Sequence, residues 1–318
     1  MGNCNCSEAG ATDQDGAVEL YDKLASTPRG ARVEHANEGQ PEDSVAVGLN
    51  LREVADIPDH LTPLAKTTLA SLDDQVPLQF ATPVKQLLLE DASFFKGECL
   101  GDQVTGKGER FFPDRRYLRG AWTNGLIEGQ GLEVLQNGDY YMGEFQKGLR
   151  HGTGAYVSLR EASTFQGRWE NGQKTGKGRQ QWKDGAAFEG SFLNGVKHGF
   201  GQFVWAEGDS YKGNFVNDAI EGQGLYRWPD GRTYDGEWKN NQLNGKGVFT
   251  WPEGHTYEGE YVNDNKHGYG TFAWKSGKYY EGFWANGVQH GPGKIVYPNG
   301  RSRNGEWYEG ARFQWTSP

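Results

Sequence analysis

The sequence predicts an all-β fold: an elongated, twisted, single-layer antiparallel meander of about nine to ten stacked β-hairpins. Three observations carry that expectation. A motif recurs every 23 residues from residue 95 onward. Each copy holds two turn signals. Glycine, at 48 of 318 residues, is about twice its usual ~7% share, and aromatic residues reach 13%.

The repeat justifies the elements in order. Phe95-x-Gly97-x-Cys99 opens it, followed by Leu118-x-Gly120-x-Trp122, Tyr141-x-Gly143-x-Phe145, Phe165-x-Gly167-x-Trp169 and Phe188-x-Gly190-x-Phe192. Tyr211-x-Gly213-x-Phe215, Tyr234-x-Gly236-x-Trp238, Tyr257-x-Gly259-x-Tyr261 and Tyr280-x-Gly282-x-Trp284 continue it, and a fragment starts at Arg303. Each copy has a second half, such as His267-Gly268-x-Gly270-x-Phe272-x-Trp274. Asn194-Gly195 and Asn286-Gly287 close first halves; Asp184-Gly185, Asp230-Gly231 and Asn299-Gly300 close second halves. Such dipeptides are strong hairpin signals, so each copy is read as two short strands. The third copy runs one residue long through 158–164 and lacks its second turn glycine, which predicts a bulge or kink there.

Glycine normally weakens a strand. Residues i, i+2 and i+4 of a strand share a face, so Tyr257, Gly259 and Tyr261 point one way, as do Gly268, Gly270, Phe272 and Trp274. An aromatic ring can lie flat on a neighbouring glycine, where no Cβ obstructs it. The glycines are therefore read as sockets and the rings as their lids.

This pattern resembles the MORN repeat (membrane occupation and recognition nexus) over residues 95 to about 313. The resemblance implies a long twisted sheet of stacked hairpins. It also implies a scaffold role at membranes, cilia or the cytoskeleton, with any catalysis in a separate domain. No stretch outside the repeats is large or patterned enough to be one, so no enzyme, cofactor or small-molecule substrate is expected.

Ahead of the repeats, residues 1–60 form an acidic arm expected to be disordered, and 61–94 short helical segments that cap the first repeat. Residues 1–94 hold 16 acids against 6 Lys/Arg; residues 95–318 hold 26 against 27. The near-neutral repeat region gives no electrostatic case for nucleic acid. Thr62-Pro63 opens a helix with Leu61, Ala65, Thr68 and Leu72 near one face, and Thr82-Pro83 a second through 84–92. Both are expected to cover the open edge of the first hairpin. No apolar run approaches the ~18 residues of a membrane span, and no secretory apolar core begins the chain. The three cysteines, Cys4, Cys6 and Cys99, form no disulfide framework.

The first residues, "MGNCNCS", have the acceptor arrangement for N-myristoylation at Gly2, with Cys4 and Cys6 placed for thioester acylation. The motif wants Ser or Thr where Cys6 stands, and Ser7 comes one residue late. One myristoyl chain anchors only marginally, and an acidic arm offers no polybasic second signal. Stable membrane attachment therefore requires acylation at Cys4 or Cys6. The Thr-Pro pairs at Thr27, Thr62 and Thr82 are phosphorylation candidates.

Two other patterns are weighed and set aside. His151, His198, His267 and His290 share one repeat position, but equivalent residues lie two strands apart, roughly 9.6 Å at ~4.8 Å per strand. That spacing is too wide for a shared zinc, so no metal site is expected, and each His is expected to begin a strand and hydrogen-bond at the turn. The Gly-x-Gly pairs lead into strands rather than a helix N-terminus, unlike phosphate loops. Glu258, Glu260 and Glu281 fall between ring positions, on a solvated face.

A single-layer sheet normally needs something to cover a face. The expectation is a groove lined by Tyr141, Phe145, Tyr211, Phe215, Tyr234, Trp238, Tyr257, Tyr261, Tyr280 and Trp284, binding a protein segment or a second copy of the chain. The leading functional reading is a non-catalytic scaffold on the cytosolic face of a plasma or ciliary membrane, held by acyl chains. A structural component of a cilium, similar to a radial-spoke head, and a phospholipid-headgroup binder are the alternatives.

Overall fold

A computed structural model of the protein describes residues 52–53, 61–72, 75 and 77–317, with 52–53 described as backbone alone. Gly2, Cys4, Cys6, Thr27 and most of the acidic arm lie outside the described residues. The described residues divide into two bodies, one ending at Ala219 and one beginning at Ile220.

Each body is an antiparallel meander in which every strand pairs with the strand before it in sequence. In the first, the ladder starts with Arg52–Glu53 on Lys85–Leu88, then Phe94–Leu100 and Gln103–Phe111, and continues to Ser210–Val216. In the second, strands from Thr233–Lys239 to Ala311–Trp315 follow the same order. Each 23-residue copy is one leading strand, carrying Tyr-x-Gly-x-Trp, and one trailing strand, carrying Gly-x-Gly.

Register explains the glycines. Gly259 pairs with Gly270, Gly270 with Gly282, and Gly282 with Gly293. In the first body Gly97 pairs with Gly108 and Gly108 with Gly120 in the same way. The sheet therefore carries a row of side-chain-free positions across its strands. A Cβ added at Gly259 would sit 2.5 Å from the Tyr257 hydroxyl and 2.7 Å from Cα of Gly270. Tyr257 thus lies over its own strand's glycine as well as the partner's, one ring covering two sockets.

The other glycine of each trailing strand has a different task. Gly268 and Gly245 adopt φ of +59° and +71°, in the left-handed region that favours glycine. They sit at a β-bulge, where the register shifts between Gly259 and Glu260. The bulge inserts two residues, so side-chain alternation survives it. A carboxylate from the leading strand clasps the bulge: Lys246 N donates to Glu237 Oε1 at 3.1 Å, and Thr153 N to Glu144 Oε1 at 3.0 Å. The expected socket role therefore holds for the second glycine of each pair and not the first.

Hairpin tips follow the turn chemistry. Asn194 and Gly195 have φ of +50° and +88°, the two positive values of a type I′ turn. Gly195 N donates back to Lys174 O at 3.0 Å, which stitches one hairpin to the previous one. Asn217-Asp218, Asn240-Asn241 and Asn263-Asp264 have two positive values without a glycine, and most turns that close second halves use one left-handed glycine, as at Gly277 with φ +83°. The long third copy places Ala162 at φ +49° in a four-residue turn, and Ser158 still pairs with Ser163 without a register shift. The expected bulge at 158–164 is absent because the turn absorbs the extra residue.

The N-terminal segments differ from expectation in one respect. Pro63–Leu72 is a helix, α1, with Ala65, Thr68 and Leu72 buried and Thr62 Oγ1 accepting from Ala65 N at 3.1 Å. The segment after Thr82-Pro83 is instead a strand, Lys85–Leu88, that pairs with Phe94–Leu100. A free sheet edge satisfies backbone groups by pairing, which outweighs local helix propensity. This strand, not a helix, covers the first hairpin's edge; α1 lies on a face of the sheet.

Candidate functional site

The two faces of the sheet are chemically distinct. On the ring face, Tyr141, Tyr211, Phe215, Tyr234, Tyr257 and Tyr280 are 0% exposed, and Phe145, Trp238, Tyr261 and Trp284 are at most 4%. These are the ten residues expected to line a partner groove. The structure makes them the core. Tyr257 meets Tyr261 and Trp284 edge-on, with ring centroids 5.2 and 5.1 Å apart. Such pairs add about 0.5–1.5 kcal/mol each to burial. Several of their polar ends are also satisfied. Tyr257 Oη donates to Glu260 O at 3.2 Å, Tyr234 Oη to Glu237 O at 3.0 Å, and Trp284 Nε1 to Gly270 O at 3.1 Å. The tyrosine therefore uses a carbonyl that the bulge releases from the ladder. Burial pushes the hydroxyls of Tyr141, Tyr234 and Tyr280 above their ordinary range. The rings close on glycines instead of on a second layer, and that leaves little ring surface for a partner.

Charges on this face are structural. Lys266, 2% exposed, places Nζ between Trp251, Tyr257, Phe272 and Trp284 at 5.1 to 5.4 Å from each ring centroid. Lys197 does the same and pairs with Asp218 at 3.2 Å. Glu133 stands where other copies carry a ring. Its burial opposes ionisation, but Arg150 at 2.8 Å and Arg116 at 3.5 Å hold its carboxyl below the usual value.

The opposite, outer face is where apolar surface remains. In the first body α1 lies on it. Ala65 and Leu72 pack on Tyr117, Leu132 and Val134, with Leu69, Phe111, Tyr140 and Met142 around them. Thr62 Oγ1 donates to Gln136 O at 2.9 Å and Thr68 Oγ1 to Gly138 O at 3.2 Å. In the second body the outer face exposes Tyr269 and Phe283, 47% each, and Tyr308, 60%. Tyr269 pairs directly with Phe283 across the strands, edge-on at 5.4 Å. Tyr269 Oη donates to Glu281 Oε1 at 2.9 Å, and Lys294 Nζ lies 2.9 Å from Glu281 Oε2. Hydrogen bonds from Lys294 and Tyr269 hold the Glu281 carboxyl below its ordinary value, and that to Glu281 raises Tyr269. Pro292 lies on the same face, paired with Glu306, and His290 is 5.5 Å from Tyr308.

The sequence pattern contained this signal at its variable positions. The residue between Gly and Trp is Glu144, Glu237 or Glu260 in other copies but Phe283 here; the residue inside Gly-x-Gly is Tyr269 and then Pro292. The solvated acids were expected: Glu258 and Glu260 are exposed. The repeated histidines lie on the outer face beside the bulge, with His267 opposite Glu260, rather than at a turn. Among the described residues no His, Cys, Asp or Glu group has metal-binding geometry.

Several comparisons bear on this arrangement. The MORN repeat family model matches eight segments, 119–140, 141–158, 165–187, 188–210, 211–231, 234–256, 257–279 and 280–300. The first copy, at Phe95, and the final fragment fold as strands outside those matches. No curated protein matches the chain. Among solved structures, the TCP10 domain of Danio rerio CPAP with a STIL peptide is similar at 13% identity, 74% of this chain and 100% of that one, TM-score 0.42. The Drosophila melanogaster SAS-4 TCP domain, with a proline-rich motif of Ana2, is 12% identical over 57% and 92%, TM-score 0.31. Scores of this size carry no inference about partners. The family match spans more than half the sequence and coincides with the glycine-and-ring hairpins described above, so the chain belongs to the MORN-repeat family.

Proposed function

We propose that the protein is a non-catalytic repeat scaffold that recruits a protein segment on the outer face of its C-terminal body, and that acylation of Gly2 with Cys4 or Cys6 holds it at the cytosolic face of a membrane. The observation that carries the recruiting role is the exposed Tyr269–Phe283 pair, continued on the same face by Pro292 and Tyr308. Contiguous exposed apolar surface marks interaction sites. The anchoring role rests on the sequence "MGNCNCS" and on the need for a second lipid where no basic patch exists.

Fractionation of cells expressing the full chain tests the anchor. Gly2→Ala and Cys4→Ser/Cys6→Ser are each expected to move the protein from membrane pellets to the supernatant. Retention of Gly2→Ala in a detergent-insoluble cytoskeletal fraction would overturn the anchor in favour of a ciliary or cytoskeletal component. Site-specific photocrosslinking from position 283 in cells tests recruitment: a discrete protein adduct is expected there, and none from position 200, an exposed ring of the first body.

A further inference from the structure

The outer face of the C-terminal body is a seat for a basic amphipathic helix of a partner protein; we infer this from the way the chain covers the same face elsewhere, and the inference rests on the scaffold reading above. In the first body the occupant is α1. Its cluster draws Phe111, Tyr117, Leu132, Val134, Tyr140 and Met142 from four successive strands. Four strands span ~14 Å at ~4.8 Å spacing. A ten-residue helix such as α1 is ~15 Å long at ~1.5 Å per residue, so its length matches the rows it crosses. The outer face of this sheet is thus a surface on which a short helix finds a stable place, provided that the variable positions supply apolar side chains.

The C-terminal body supplies them without an occupant among the described residues. Tyr269, Phe283, Pro292 and Tyr308 come from four successive strands, Asn265–Ala273 to Ser302–Tyr308. That is the same four-strand width as the α1 seat. Two ring pairs, Tyr269 with Phe283 and His290 with Tyr308, make ridges between which apolar side chains at i, i+3 and i+4 of a helix can settle.

Charge selects which helix fits. On the strands from Thr256 to Tyr308 the outer face carries Glu258, Glu260, Glu281 and Glu306; Glu260 lies opposite Lys246 and Glu281 pairs with Lys294, whereas Glu258 and Glu306 face no cation across the strands. α1 carries a single charge, Lys66. A helix as sparsely charged as α1 would not answer both of these carboxylates. Lys and Arg on the flanks of the incoming helix would pair with Glu258 and Glu306, and their stems and cations would lie on the Tyr269 and Tyr308 rings.

Fluorescence anisotropy with the full chain tests this. The probes are a labelled amphipathic helix of about 14 residues with Lys on its polar face, and the same peptide with Glu in place of Lys. The basic peptide is expected to bind, and Tyr269→Ser/Phe283→Ser to weaken it about tenfold. Phe200→Ser, which removes an exposed ring on the first body, is expected to leave binding unchanged. Circular dichroism of each variant secures the fold. Equal binding of the acidic peptide, or binding insensitive to the double substitution, overturns the proposal. So does a concentration-dependent dimer that the double substitution abolishes, since the seat would then belong to a second copy. Crosslinking from position 283 separates the two readings: an adduct on an extended or acidic segment sinks the basic helix and spares recruitment, whereas no adduct sinks both.

Discussion

The outer face beneath α1 and the outer face around Phe283 are built on the same repeat, yet one is interior and the other is surface. The ring face does not distinguish them: Tyr141 and Tyr257 are equally buried over equally bare glycines. The difference lies wholly in the variable positions between motif residues. Leu132 follows the ring-socket glycine Gly131 and is 0% exposed under α1; Val248 follows Gly247 and is 38% exposed. The motif thus specifies the scaffold, and the residues it leaves free decide what each stretch of the outer face meets.

The largest test of that contrast places a carboxylate at both positions. Leu132→Asp is expected to cost about 3–4 kcal/mol, because it removes burial and sets a second carboxylate under the helix beside Arg119, which Glu109 already engages. Val248→Asp is expected to stay within about 0.5 kcal/mol, as for an exposed site. Denaturant unfolding of the full chain gives both values, and hydrogen exchange of residues 63–72 shows whether α1 leaves its seat. A large loss at Val248 would mean that the C-terminal outer face is covered too.

The second test asks whether the ring face is as uniform as it looks. A Cβ at Gly143 would lie 2.6 Å from the Tyr141 hydroxyl and 2.5 Å from Cα of Gly154, nearly the same as at Gly259. Gly143→Ala and Gly259→Ala are each expected to cost about 2–3 kcal/mol, since both ring and backbone must shift. Unequal losses, read by the same unfolding measurement, would show that the two bodies do not share one packing rule.

Much of this was legible beforehand. Period and turn dipeptides predicted the run of hairpins, because a 23-residue copy closes two strands only where residues tolerate positive φ, as Asn194 and Gly195 do. The identity of the core rings was also readable. Their availability was not. Spacing places Tyr257 on a face but does not say that its ring folds down over Gly270 and so consumes the surface it was expected to offer. The bulge was hidden as well. Gly268 and Gly270 look alike in sequence, and only register separates the left-handed residue from the socket. Local propensity predicts a helix over the strand Lys85–Leu88 because it carries no information about an unpaired edge several residues away. Tyr269, Phe283 and Pro292 carry no signal in the motif, because they occupy the positions that vary between copies.

The smallest expected effect concerns the ion pairs of the two outer faces. Under α1, Arg119 lies 3.0 Å from Glu109 and donates from Nε to the Tyr117 hydroxyl at 2.7 Å, with little of either side chain in contact with water. On the open face, Lys294 and Glu281 are 38% and 31% exposed. The Glu281 carboxyl titrates below its ordinary 4.5, chiefly through the hydrogen bond from Lys294 and then that from Tyr269. The stability this adds is complete above about pH 4.5 and disappears as pH falls through the lower folded value. Lys294 is shifted up by the same pair, so its share is present below 10.5 and disappears as pH rises through its raised value. Solvent screening limits the whole effect to a few tenths of a kcal/mol. Lys294→Met is accordingly expected to flatten both limbs slightly in low salt and to change nothing in about 1 M salt, where the Debye length is ~3 Å. Arg119→Met should lower stability at either ionic strength, because its partners are left buried. If Lys294→Met proved as costly as Arg119→Met, the open face would have to be shielded from water in solution, and the distinction between covered and uncovered would fail at the very residues proposed to receive a partner.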